Sequence, residues 1–190
     1  MWMPKSRNLT LAKVVDLSRQ LSERVRMYQI DLVVSIEKGG WFVGDVISHE
    51  LNVPHLQITI GRLSDAEVEK LHYKNIPQPM QVMSAIHEML TSSRMPKLQR
   101  GLVNFEPVSD KRILLVDDFI QTGRTIALAK DYLYGLWSSS IYVAALASVK
   151  GAPFPMFHAL QGHYCFPWSR LSSEYEVFQD MYRRGHVKDH

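Results

Sequence analysis

Two aspartates, Asp117 and Asp118, close the apolar run Ile113–Val116, and Thr122-Gly123-Arg124-Thr125 follows four residues on. Adjacent carboxylates at the mouth of a buried strand can accept hydrogen bonds from sugar hydroxyls, or hold a hard cation directly or through water. The small and hydroxylated residues beyond them leave backbone N–H groups and two side-chain hydroxyls to surround a phosphate at the positive end of a helix dipole. The stretch ILLVDDFIQTGRT therefore offers acid for a sugar and amides for a phosphate. A strand, a turn and a helix cap without any ligand is the plain alternative, but two adjacent acids at a buried strand end are costly unless they are used.

A second such loop, Glu37-Lys38-Gly39-Gly40, follows the apolar run Leu32–Ile36. Glycines let backbone amides approach an anion without a Cβ clash, and Lys38 adds charge. By itself this is equally a plain turn between a strand and a helix.

The elements that must position both loops are legible as periodicity. Val14, Leu17, Leu21, Val25 and Tyr28 recur at helical spacing, as do Val43, Ile47 and Leu51, and Ile126, Ala129, Leu133 and Leu136. Leu56, Ile58 and Ile60 alternate as a strand, Gly101 to Pro107 is expected as another leading into the turn Ser109-Asp110-Lys111, and Ile141 to Val149 as a third. Gly39-Gly40 reads as a loop and Asn52-Val53-Pro54 as a helix end. Asn8-Leu9-Thr10, formally a glycosylation sequon, reads as a helix N-cap. Two helix signals flank Pro77-Gln78-Pro79: a capping box from Ser64 to Glu67, and the apolar stripe Val82, Met83, Ile86, Met89 and Leu90. Residues 63–100 are expected as a helical insertion or lid, the methionine-rich stripe being core or dimer surface.

With 190 residues, 46% of them hydrophobic, the chain can bury one full core without dividing. The formal net charge of +3 suits a polyanionic small substrate and is weak evidence for nucleic acid. A single cysteine, Cys165, excludes an internal disulfide framework and a cysteine zinc cluster. His49-Glu50 and His87-Glu88 lack the second histidine that a zinc protease motif requires, since Val53 and Thr91 stand there. No apolar run reaches membrane-span or signal-peptide length, so a cytoplasmic protein without membrane association is expected.

Position for position, except at the spacer Gln121, VDDFIQTGRT resembles the phosphoribosyl-pyrophosphate (PRPP) binding motif of the type I phosphoribosyltransferases. Glu37-Lys38-Gly39-Gly40 is similar to that family's pyrophosphate loop. ASVKGAP is similar to the segment carrying the base-binding lysine of its purine branch, and the segment from His163 to Trp168 to the Pro-Trp ending of bacterial xanthine-guanine and hypoxanthine members. The resemblance runs from about Leu11 to Trp168 and is absent across 63–100.

It implies an α/β fold, a parallel sheet with a hood subdomain, in one domain of residues 1–190, with 151–176 as a C-terminal hood segment. The implied reaction transfers ribose 5-phosphate from PRPP to a ring nitrogen of a nucleobase, a purine by these motifs, with release of pyrophosphate. By the same resemblance Asp117, Asp118 and Gln121 are catalytic, and Gln121, Thr122, Gly123, Arg124 and Thr125 bind the 5-phosphate. Glu37, Lys38, Gly39 and Gly40 bind pyrophosphate, Lys150, His163 and Tyr164 bind the base, and Asp117 and Asp118 hold magnesium directly or through water. A non-proline cis peptide at Glu37–Lys38 and a homo-oligomer are implied as well.

Two residues depart from the pattern. Glu37 puts an acid beside a pyrophosphate site, and Gln121 stands where 6-oxopurine enzymes carry an aspartate that handles the proton at N7 of the base. Glutamine can hydrogen-bond but cannot act as a base at neutral pH. A regulator that binds PRPP or a nucleotide without transferring anything is therefore the competing reading, since folds outlive their chemistry. A nucleic-acid-binding regulator rests on the basic charge alone. Trp168 is expected to close the core, with His163 or Tyr164 stacking on the base.

Overall fold

The computed structural model describes residues 7–62, 96–102, 108–153 and 157–186. Its centre is a six-stranded sheet in the order β4-β3-β2-β5-β6-β7. The strands are β2 (Leu32–Glu37), β3 (His55–Arg62), β4 (Pro96–Arg100), β5 (Arg112–Ile120), β6 (Ser140–Ser148) and β7 (Phe157–Gln161). All neighbours run parallel except β4, which is antiparallel to β3. Strands β1 (Arg7–Asn8) and β8 (Tyr164–Cys165) form a separate parallel pair.

The apolar runs are continuous because both faces of the sheet are covered. On one face Val33, Leu114, Val116 and Leu146 meet helices α1 (Leu11–Val25) and α2 (Gly39–Leu51). On the other, Leu32, Val34, Leu115 and Val143 meet α3 (Arg124–Gly135) through Ile126, Ala129 and Leu133. Each such side chain, fully buried, contributes about 1.5–3 kcal/mol relative to exposure. The predicted stripe of α1 over Val14–Val25 is buried, as are Val43 and Ile47 of α2 with Leu51 partly so, and Thr10 caps α1 by accepting a hydrogen bond from the Lys13 N–H at 3.2 Å. Tyr28 lies past the end of α1 in a short 3₁₀ turn, its ring against Tyr142 and Phe157. Asn52, with φ of 56°, ends α2.

At the edge of the sheet away from the glycine loops, Arg112 makes a bidentate ion pair with Asp31 at 2.8 Å and holds that carboxyl down at about 2.

Three expectations are revised, and a fourth lies mostly outside the described residues. Gly39 and Gly40 are the first residues of α2, not a loop. A Cβ on Gly40 would lie 2.9 Å from the Val116 carbonyl oxygen, so glycine is there to let the helix start approach β5. Of the strand expected over Gly101 to Pro107, Gly101 and Leu102 are not in strand, while Pro96–Arg100 just before them is. Gly101 and Leu102 leave the sheet because they lie against Tyr132 of α3, whose hydroxyl accepts from the Leu102 N–H at 2.8 Å; residues 103–107 are outside the described set.

Of the segment 63–100, residues 63–95 are likewise outside that set, and the last five residues pair with β3 as strand, not helix. Within 151–176, expected as a hood, Phe157–Gln161 is the outer strand of the main sheet, and only Tyr164–Cys165 joins the small one. A further helix, α4 (Tyr175–His186), follows.

Candidate active site

Every loop singled out in the sequence lies at the C-terminal edge of the parallel sheet, where ligands of such sheets bind. Asp117 closes the continuous buried run of β5, 8% exposed, and its Oδ1 accepts from the Asp118 N–H at 2.9 Å. Burial first, and the neighbouring Asp118 charge second, push its carboxyl well above the usual carboxylate range. Asp118 is half-buried, and its Oδ2 accepts a 2.5 Å hydrogen bond from the indole Nε1–H of Trp168.

The glycine loop at the end of β2 is built against this pair. A Cβ on Gly39 would stand 2.0 Å from Asp118 Oδ2 and 2.5 Å from Trp168 Nε1. The Glu37–Lys38 peptide is cis, as the resemblance implied. Lys38 is exposed at the start of α2, which has no side-chain cap. Glu37 is engaged by protein partners: it accepts from the Thr59 hydroxyl at 2.5 Å and is hydrogen-bonded to Tyr182 of α4. Burial and then the Glu37 carboxylate push the Tyr182 hydroxyl up to about 12. This acid, anomalous in the sequence, thus joins β2 to β3 and to the C-terminal helix.

After β5 the chain turns through Gln121 and Thr122, both exposed, to Gly123, whose φ of 73° is the left-handed conformation that glycine adopts without penalty. Gly123 starts α3 and makes no side-chain cap, so the first-turn amides are not covered by a capping side chain. Arg124 and Thr125 occupy that turn.

Pairing at the strand ends gathers the rest. Ile120 stands opposite Ser148, the Val149 N–H donates to the Ile120 carbonyl at 3.1 Å, and the Gly162 N–H to the Ser148 carbonyl at 2.9 Å. Gln121, Lys150 and His163 each follow one of these neighbours directly, and both Lys150 and His163 are exposed. The His163 ring is 5.3 Å from that of Phe119. Tyr164 is placed differently: it pairs with Arg7 in the small sheet, and its hydroxyl reaches back to the Gln161 carbonyl at 3.4 Å.

Three residues escaped the sequence reading. Phe119, directly after the acids, carries His163, and its position in the motif was the available signal. Trp168 was assigned to the core alone; as an obligate N–H donor in an aromatic cluster it was a candidate partner for a carboxylate. Tyr182 lies four residues beyond the buried Phe178 on α4, and only helical spacing marked it.

Elsewhere, Ser35, His55 and Asp45 line up as hydroxyl, imidazole and acid, at 2.8 and 3.7 Å. Ser35 is fully buried, and a Cβ on Gly44 would lie 2.8 Å from both Ser35 and His55. The trio ties β2, β3 and α2 together and has no room for a substrate. Among the described residues no cluster of three or more metal-ligating side chains occurs, and no helix is long and apolar enough to cross a membrane.

A family model described as a phosphoribosyl transferase domain matches residues 7–156. The adenine phosphoribosyltransferase of Bordetella pertussis is 30% identical over 125 residues, covering 65% of this chain and 58% of that protein. The chain therefore spans less than two thirds of that relative's length. A purine phosphoribosyltransferase from Pyrococcus horikoshii superposes with a TM-score of 0.67 at 20% identity, over 87% of this chain and 94% of that one. A hypothetical protein from Neisseria gonorrhoeae, solved with bound ppGpp, superposes with a TM-score of 0.68 at 15% identity, over 98% of this chain and all of that one.

Proposed function

The chain belongs to the phosphoribosyl transferase domain family, and on that premise we propose that it transfers ribose 5-phosphate from PRPP to a purine, releasing pyrophosphate. The observation that carries this reading is the contact of the two loops, with Gly39 set directly against the Asp118 carboxylate. In the transfer, positive charge builds on the ribose ring and negative charge on the departing pyrophosphate. Carboxylates belong beside the first, and amides with a cation beside the second. Asp117 and Asp118 lie on one side of this contact, and Lys38 with the α2 amides on the other.

Thr122, Gly123, Arg124 and Thr125 take the 5-phosphate at the start of α3, where the first-turn amides point outward. Gln121 serves as a neutral hydrogen-bond partner of the base, Lys150 as the recognition group for a 6-oxo substituent, and His163, held by Phe119, as a stacking surface. Tyr164, tied into the small sheet, supports that loop.

Two neighbouring carboxylates, with no third metal-ligating side chain grouped with them among the described residues, suit magnesium, which keeps several waters and is bound through one or two acids plus substrate phosphates. Asp117 and Asp118 would hold it, and when bound it neutralises charge on the leaving pyrophosphate. A cytoplasmic homo-oligomer fits the reading.

Incubation with magnesium, PRPP and a panel of adenine, hypoxanthine and guanine, with pyrophosphate release measured, tests it. A second reading, a non-catalytic nucleotide-binding regulator, is favoured by one observation: the Neisseria protein solved with ppGpp shares this fold along nearly the whole chain. No release with any base, together with binding of PRPP or ppGpp, would select that reading.

A further inference from the structure

Transfer chemistry by itself requires no C-terminal helix, yet α4 is connected to both loops. Phe178 of α4 is fully buried and touches Phe42 (6.2 Å, 88°) and Trp41 (6.3 Å, 67°), which follow the glycine pair in α2. It also packs on Trp168 at 5.3 Å, while Phe166 stacks on Trp168 at 5.1 Å and 3°. The indole is thereby fixed between two rings with its Nε1–H directed at Asp118 Oδ2, 2.5 Å away. Any side chain on Gly39 would occupy the space of that hydrogen bond.

We propose that Trp168 is a positioning residue that holds the Asp118 carboxylate for the sugar of PRPP, with α4 as the buttress of the indole. An acid at a loop mouth samples several rotamers, and ordering it beforehand removes that cost from binding. The choice of donor matters. A lysine or arginine would order the carboxylate but cancel the negative charge needed opposite a developing positive ring. The indole N–H is a neutral donor with no acceptor and no titration, so it fixes the acid and leaves its charge intact. Trp168 takes Asp118 Oδ2, and the sugar contact is assigned to Oδ1.

This role rests on the transferase reading, and a double-mutant cycle separates the two. Trp168→Phe keeps an aromatic ring in the stack and removes the N–H together with the rest of the five-membered ring. Calorimetric titration with Mg-PRPP should show wild type binding, about ten-fold weaker binding by Trp168→Phe, and no further loss when Trp168→Phe is added to Asp118→Asn. KM for the purine should stay unchanged, a split that a loosened core would not produce. Equal losses in both backgrounds overturn the role.

The contact itself is read by ¹⁵N–¹H spectra of the four tryptophan indoles. The Trp168 signal, identified by sequential assignment of the wild-type spectrum, should move in Asp118→Asn before any ligand is added, and a signal that stays in place overturns the proposal even if Trp168→Phe does not fold. A wild type that binds no PRPP sinks the transferase reading and this role with it, whereas binding with an additive cycle sinks the role alone.

Discussion

Gly39 and Asp118, seventy-nine positions apart in the sequence, are in such close apposition that a single methyl group on the glycine would lie 2.0 Å from the aspartate Oδ2. The neighbouring Gly40 faces main chain instead, with its would-be Cβ 2.9 Å from the Val116 carbonyl oxygen and 3.1 Å from Asp117 Cα.

The two glycines should therefore fail differently. Gly39→Ala meets two side chains, the Asp118 carboxylate and the Trp168 Nε1, and breaks the bond between them, so PRPP affinity falls about ten-fold or more with the smaller loss of stability. Gly40→Ala meets backbone that cannot move without opening α2 from β5, so stability drops by about 1–3 kcal/mol. Urea unfolding and PRPP titration of both variants check this; the same profile for both would contradict it.

Magnesium-PRPP should raise the melting temperature, because binding only to the folded state stabilises by mass action, about 2.7 kcal/mol at a hundred-fold excess over Kd. Asp118→Asn, at the sugar, and Thr125→Val, at the 5-phosphate, should each reduce that shift. A flat titration at millimolar PRPP counts against both the site and the function.

Asp117 makes stability depend on pH with a definite sign. Its raised carboxyl keeps a proton in the folded chain that the unfolded chain loses near the ordinary value of 3.8, so the group destabilises the fold as pH rises from there through the raised value. Asp117→Asn abolishes the titration and should gain on wild type as pH rises from about 4 towards neutral, by at most about 1.4 kcal/mol per pH unit, while losing transfer activity. Denaturant melts across that range decide, and a constant difference between the two proteins would rule the effect out.

Gln121 and Lys150, placed on neighbouring strand ends, should divide chemistry from recognition. Lys150→Ala should cripple use of hypoxanthine and guanine with PRPP affinity nearly unchanged. Gln121→Asp should raise turnover with those bases, because general-base assistance is typically worth about 10²–10⁴-fold where geometry allows. Turnover with adenine alone, indifferent to Lys150→Ala, would remove Lys150 from base recognition and leave the transferase reading standing.

Local signals carried a great deal. The run Ile113–Val116 ending in two acids, and Leu32–Ile36 ending in a basic glycine pair, are strands buried on both faces, and burial of that kind is written in consecutive apolar residues. Since every parallel strand delivers its loop to the same edge, the meeting of these loops followed from the strand assignments, and the cis peptide at Glu37–Lys38 followed from the resemblance.

What periodicity could not express were contacts between residues far apart whose types permit many partners. Trp168 reads as core because an indole is mostly apolar; only its placement beside β5 turns its one polar atom onto Asp118. Glu37 reads as an intruder at an anion site until β3 and α4 bring Thr59 and Tyr182 to it. Gly39-Gly40 reads as loop because glycine marks turns, whereas here it is a helix start pressed against β5, a steric demand set by a neighbour the local sequence does not contain. The sequence by itself determined which strands present the loops and named the residues proposed to carry chemistry. Tertiary structure decided which of them touch, because a hydrogen bond across fifty residues and a packing distance across seventy-nine leave no local pattern to read.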